Sequence, residues 1–295
     1  MGEFFAALIA GVAQGVPLFI VASGLTLIFG VLHVLNFAHG AFFMIGAFAF
    51  ASLLGGGSVN VLVFLAAALA AAVVLAVVGA ATDVMVFKRL YGHDHMVTLL
   101  ASYALLLMLE GITAEIWGVQ PRTQRQTPAF AGSFEVLSVR VAVYDVLLVG
   151  IGLAIAGGLY WMLQRTSYGQ IVRAVATDEQ MARALGIRAR RVQTGVFALG
   201  AALAGLSGAL IAPLVSVDVG LAPTFAIQSF AIVIIGGLGS VSGALVAALL
   251  VGISESLLIS YAPDLAGFSL YIAVALVLMV RPRGLMGNPA ITARA

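Results

Sequence analysis

The chain is a succession of apolar stretches separated by short polar or glycine-marked breaks. Apolar segments cover residues 5–29, 40–54, 61–83, 96–118, 143–163, 193–215, 225–235, 241–261 and 265–280. In lipid such segments must be helical, because backbone groups there find hydrogen-bond partners only within their own segment. A membrane β-barrel would show ten-residue alternation of apolar and polar positions, and the chain has none. At 1.5 Å per residue, segment 61–83 makes about 34 Å of helix, enough for a hydrocarbon core of about 30 Å. Segments 40–54 and 225–235 reach only about 22 Å and about 16 Å, too short to cross alone. Each abuts a glycine-marked break, FGVLHVLNFAHG (29–40) and GGLGSVSG (236–243). Short apolar segments beside such breaks point to discontinuous helices along a substrate path. The plainer reading is a pair of tight connections between neighbouring helices. The expected fold is an all-α polytopic membrane protein with about 8–10 transmembrane or re-entrant helices and two broken-helix regions. Candidate translocation-path residues are Asn36, His39 and Gly40 in the first break, and Gly236, Gly237, Gly239 and Ser240 in the second.

Composition supports this reading. Hydrophobic residues make up 62% and charged residues 9% of the chain, and mean hydropathy is +1.15, which excludes a soluble domain. There are no cysteines, so disulfides, thiolate chemistry and cysteine-based metal sites are excluded. The start, MGEFFAAL, has no Lys or Arg and reads as a retained span rather than a signal peptide.

The few charges concentrate in QRTSYGQIVRAVATDEQMARALGIRARR, residues 164–191. There Arg165, Arg173, Arg183, Arg188, Arg190 and Arg191 face only Asp178 and Glu179. Ser167 with Gln170 and Thr177 with Gln180 fit capping boxes, and Gly186 sits where a C′ glycine would close a helix. Two short helices, over 168–176 and 178–185, are expected. Met181, Ala182 and Leu185 form an apolar stripe that suits a protein partner better than a lipid surface, since a lipid anchor needs no pair of capped helices. Arg173, Thr177, Asp178, Glu179, Ala182 and Gly186 are the candidate contact residues. With residues 1–4 outside, eleven of the fourteen basic residues lie in the cytoplasm and Arg122, Arg125 and Arg140 outside. The positive-inside rule thus puts the N-terminus outside and the C-terminus in the cytoplasm. The pI of about 9.2 reflects this topology, not nucleic-acid binding.

Lys88 is the only lysine and no P-loop surrounds it, so this chain holds no nucleotide by that device; any ATP is used by partner subunits. Glu110 and Glu255 lie mid-segment, where ionisable groups are functional candidates: they could relay protons in a carrier working alone, or accept hydrogen bonds from neighbouring helices. Asp83 and Asp145 sit near segment ends and are expected to reach the headgroups. Gly205-Leu206-Ser207-Gly208 matches an intramembrane serine-protease pattern, but Ala201, Gly205 and Ala209 read better as a packing face. His93, Asp94 and His95 read as a solvated turn, and no metal site is expected.

Four blocks carry a resemblance to a family: GLTLIFGVLHVLNFAHGAFFMIGAF (24–48), GQIVRAVATDEQMARALGI (169–187) running into FALGAALAGLSGAL (197–210), IGGLGSVSGALVAALLVGISE (235–255) and RPRGLMG (281–287). Over nearly its whole length the chain resembles the permease subunits of branched-chain amino acid ABC importers, LivH type. The resemblance implies a single permease domain over 1–295 in a bacterial inner cell membrane, with 164–191 as a cytoplasmic coupling insert. It implies a second permease subunit of LivM type, two ATPase subunits, an extracytoplasmic substrate-binding protein and an amino-acid substrate, with no cofactor bound by this chain. Ala182-x-x-x-Gly186 resembles the alanine-to-glycine spacing of the importer coupling loop; Glu179 precedes Ala182 by three places, so the glutamate-led form is partial. Many relatives carry an acidic residue where this chain has Ala41, which bears on substrate. Urea or another small solute is the alternative cargo, and a proton-coupled carrier the alternative function.

Overall fold

A computed structural model describes residues 2–55, 60–124, 127–136 and 139–287. Arg125 and the end of the tail, with Arg294, lie outside the described residues. Eleven helices form among those described: α1 (Gly2–Leu32), α2 (Ala38–Leu54), α3 (Val61–Leu90), α4 (His95–Trp117), α5 (Val143–Arg165), α6 (Ser167–Thr177), α7 (Glu179–Ala184), α8 (Ala189–Ile211), α9 (Leu221–Gly236), α10 (Val241–Tyr261) and α11 (Ser269–Val280). Seven are long and apolar enough to cross a membrane, α11 being counted with the Pro263–Phe268 turn before it; α2 and α9 are the shorter apolar pair. The expected all-α polytopic fold is therefore present, with α2 and α9 as the two short elements beside the breaks. A small antiparallel hairpin, β1 (Ser133–Val136) and β2 (Val139–Ala142), sits in the connection before α5.

Helix α8 organises the bundle, packing on α1, α2 and α3. It can do so because small residues let backbones meet where lipid offers no hydrophobic drive for association. A Cβ at Gly46 would lie 2.3 Å from the Gly205 carbonyl oxygen, and one at Gly208 would lie 2.0 Å from that of Phe43. Between these contacts the Ser207 hydroxyl donates to the Pro17 carbonyl at 2.7 Å and is fully buried. The protease-like tetrapeptide is thus a packing face, as expected. On the other flank α10 runs antiparallel to α1: a Cβ at Gly11 would meet Ile253 Cα at 2.6 Å, and one at Gly252 would meet the Gly15 nitrogen at 2.6 Å.

The connections sort to two ends. The backbones of Arg122 and Val217 pair, joining the loop after α4 to the one after α8. At the opposite end lie α6, α7, the α9–α10 turn and the residues after α11, whose Leu285 and Met286 amides donate to the Ile235 and Gly236 carbonyls. Those two bonds satisfy carbonyls that α9 would leave open at its C-terminus.

Asp83 corrects an expectation. It is fully buried rather than reaching headgroups. It opens a single π-helical turn, Asp83–Phe87, inside α3 and accepts hydrogen bonds from the hydroxyls of Tyr91 and, at 2.6 Å, Thr194 of α8. Burial, then the hydrogen bond and negative charge of Asp83, raise the Tyr91 pKa, so its hydroxyl stays a donor. Removing a donor from a buried acceptor costs about 1–3 kcal/mol. Tyr91→Phe should accordingly lower the thermal midpoint in detergent, and Thr194→Val should do the same; an unchanged midpoint for both would show the cluster to be idle.

Candidate functional site

The first break is an excursion inside the bundle. Helix α1 ends at Leu32; His33 then takes a left-handed conformation (φ 54°), and residues 33–36 belong to no helix. The next helix does not start at the end of α1. His39, in the first turn of α2, donates from Nε2 to the Val21 carbonyl at 2.8 Å, and a Cβ at Gly24 would lie 3.1 Å from His39 Cε1. The chain has thus run back two to three helical turns along α1, about 12–16 Å, before α2 begins. Asn36 starts it by accepting from the Ala38 amide at 3.1 Å. Ser102 of α4 secures the break by accepting from the Phe37 amide at 3.1 Å, while its hydroxyl lies 2.8 Å from the Leu99 carbonyl and 3.3 Å from that of Leu35. Such backbone is tolerated at membrane depth only when enclosed by protein or facing a water-filled cavity. Asn36 Nδ2 and His39 Nδ1 are buried without a hydrogen-bond partner among the described residues, leaving two polar atoms unspent.

Gly40 does not face an open path. A Cβ there would lie 2.1 Å from the Ala222 carbonyl oxygen, so Gly40 is where α2 and α9 touch. The second break, 237–240, is a tight turn with positive φ at Gly237 (100°) and Gly239 (80°). Gly236 packs on Gly243, and Gly237 packs on Gly287 of the RPRGLMG block. These glycines seat the tail against the turn.

Beside this turn is a cavity of about 670 Å³. His33, the insert residues Gln164, Arg173 and Thr177, and Gly239 and Ser240 all line it. The structure therefore brings the end of α1, the insert and the second break together. Asn36, His39 and Gly40 are not among its walls.

The insert is two short helices, with caps one residue away from those expected. Thr166, not Ser167, caps α6 by accepting from the Gly169 amide at 3.1 Å. Asp178, not Thr177, caps α7 by accepting from the Met181 amide at 2.9 Å. The side chain just outside each helix wins because an N-cap needs extended backbone, which Thr166 and Asp178 have. The far end of α7 closes with a Schellman motif: the Ile187 amide bonds the Ala182 carbonyl and the Gly186 amide bonds that of Arg183, with Gly186 at φ 83°. Val172, Val175 and Ala182 root the insert in the bundle. Met181 and Leu185 are instead 58% and 75% exposed, so the expected apolar stripe divides into a buried Ala182 and two outward side chains. Glu179 and Arg183 form an ion pair on the exposed face.

A second recess, of about 380 Å³, lies between α1, α9, α10 and α11. Gln14, Thr224, Gln228, Glu255 and Ser269 supply its polar lining, and the Ser269 hydroxyl donates to Glu255. Glu110, on α4, is not among its walls, so the two glutamates singled out in the sequence do not meet in one cavity. Gln14 and Gln228 escaped notice because an isolated glutamine in an apolar run has no spacing signature.

A bundle built on close helix packing, with seven helices long and apolar enough to span a membrane and a two-helix polar insert at one end, has the architecture of a multi-pass membrane protein. The family described as "Branched-chain amino acid transport system / permease component" matches residues 7–280, and the chain belongs to that family. It is 26% identical to the branched-chain amino acid permease protein BraD of Pseudomonas aeruginosa, covering 96% of both chains. It is 26% identical to LivH of Escherichia coli over 95% of this chain and 94% of the relative. A probable LivH of Methanocaldococcus jannaschii is 29% identical over 92% of this chain and 88% of the relative.

Proposed function

We propose that the chain is a LivH-type subunit of an ATP-driven importer of branched-chain or related amino acids. It shares the membrane path with a second permease subunit of LivM type. Two separate ATPase subunits supply the energy, and an extracytoplasmic binding protein delivers the amino acid. The end bearing α6 and α7 faces the cytoplasm, where the arginines of 164–191 obey the positive-inside rule, and the N-terminus faces outward. The insert transmits motion because its root is fixed in the bundle and its tip is apolar and unpartnered.

The observation that carries this reading is the outward pair Met181 and Leu185 on a helix capped at both ends. Two exposed apolar side chains seated in a partner's groove are worth about 1.5–3 kcal/mol each. Met181→Glu with Leu185→Glu should therefore reduce co-purification of the ATPase subunits by about tenfold or more, with yield of the permease unchanged. Equal recovery of ATPase with the double variant would remove the docking role. The candidate path residues fall into three groups on this reading: Gly239 and Ser240 border the inner cavity, Gly236 and Gly237 pack the turn and the tail, and Asn36, His39 and Gly40 hold the interrupted helix in register.

A further inference from the structure

The recess containing Glu255 lies away from the insert. The Gly11–Gly15 stretch of α1 meets Ala248–Ile253 of α10 backbone to backbone, which sets Gln14 and Glu255 on adjoining turns in the non-insert halves of those helices. Helix α9 adds Thr224 and Gln228, and Ser269 opens α11. Glu255 accepts from Ser269, and Gln228 Oε1 is buried with no hydrogen-bond partner among the described residues. Leu18, Ile227 and Val251 supply apolar wall. A carboxyl group, amide groups and an aliphatic wall in one recess suit an amphipathic zwitterion. Carboxyl and amide groups within a membrane span are costly unless they meet a partner; here Glu255 and Gln228 are half-buried and Gln14 is exposed.

We propose that this recess is a contact site for a neutral α-amino acid entering from the outer face. Glu255 and Gln228 Oε1 accept from its ammonium, the Gln14 amide donates to its carboxylate, and Leu18, Ile227 and Val251 receive its aliphatic side chain. The proposal rests on the importer reading and assigns the substrate to particular side chains of this chain.

The test uses the whole importer in proteoliposomes, with the partner permease, ATPases and binding protein, and radiolabelled leucine supplied on the side of the binding protein. Glu255→Gln keeps the shape and removes the charge; it should lower maximal uptake about tenfold, because a hydrogen bond to a charged group is lost. The external half-saturation should not move, since the binding protein sets it. Glu255→Asp should recover at least half of the uptake, and Gln228→Met should lower it several-fold. All three complexes should co-purify with their partners as the wild type does. Wild-type uptake by Glu255→Gln would overturn the site. So would equal losses for Glu255→Gln and Glu255→Asp together with poor co-purification, which would mark a structural role. A wild-type importer that moved no leucine would instead overturn the importer reading beneath it.

Discussion

Gly46→Leu is expected to abolish recovery of folded protein. At this position α2 crosses α8 with no room for a side chain: a Cβ would lie 2.3 Å from the Gly205 carbonyl oxygen and 2.4 Å from Gly205 Cα. Both neighbours are backbone, so no rotamer change can make space. Helix α2 would have to lift away, and the adjoining contact of Gly208 with the Phe43 carbonyl would open with it. Helix α8 also holds α1 through the Ser207–Pro17 bond and α3 through Ala201 against Gly79, so the damage would spread across the bundle. Overpacking of this kind exceeds about 4 kcal/mol, a large part of the stability of a typical domain. Gly157→Leu is the control. Gly157 lies in α5 with nothing within 4 Å of its would-be Cβ, and replacing a helical glycine there should be neutral or favourable by about 1 kcal/mol. The yield of monodisperse protein in detergent separates the two; similar yields would refute the close-packing account of α2 and α8.

The contrast explains what could be read from the chain before its structure. Apolar length is a one-dimensional property, so the helices, and the shortness of α2 and α9, were legible from runs of residues. The route between α1 and α2 was not. Nothing in LHVLNFAHG says that residues 33–37 turn back along α1, because the bonds that fix the path come from Val21 and Ser102, distant in sequence. The caps of the insert were legible to within one residue, since Thr166-Ser167 and Thr177-Asp178 each offer two neighbouring acceptors and the choice depends on backbone conformation. Asp83 departs from expectation because Thr194 on α8 and the nearby Tyr91 enclose it, and a donor on a distant helix leaves no mark in the local run of residues. The recess around Glu255 was half legible: Glu255 stood out as a charge in an apolar run, while Gln14 and Gln228 acquire meaning only when their helices converge.

The second large effect is expected at Gly186, where space and backbone conformation can be separated. The residue sits at φ 83° with nothing within 4 Å of its would-be Cβ, so substitution there causes no clash. Any cost comes from holding an L-residue in the left-handed region, about 1–2 kcal/mol in general and more for a β-branched side chain. The effect should therefore follow conformational tolerance and not size. Gly186→Asn, which enters the left-handed region readily, should transport nearly as the wild type does. Gly186→Ala should fall in between, and Gly186→Val should lose about tenfold or more of ATP-driven uptake in the reconstituted importer. The mechanism is local. Without the left-handed turn, the Ile187 and Gly186 amides lose the Ala182 and Arg183 carbonyls, the end of α7 unwinds, and Leu185 no longer projects at a fixed angle. Permease yield should stay constant across the series, because Gly186 contacts nothing in the bundle. Loss that followed side-chain volume, with asparagine worse than alanine, would mean that Gly186 lies against the partner and that its role is fit to the groove, not closure of the helix.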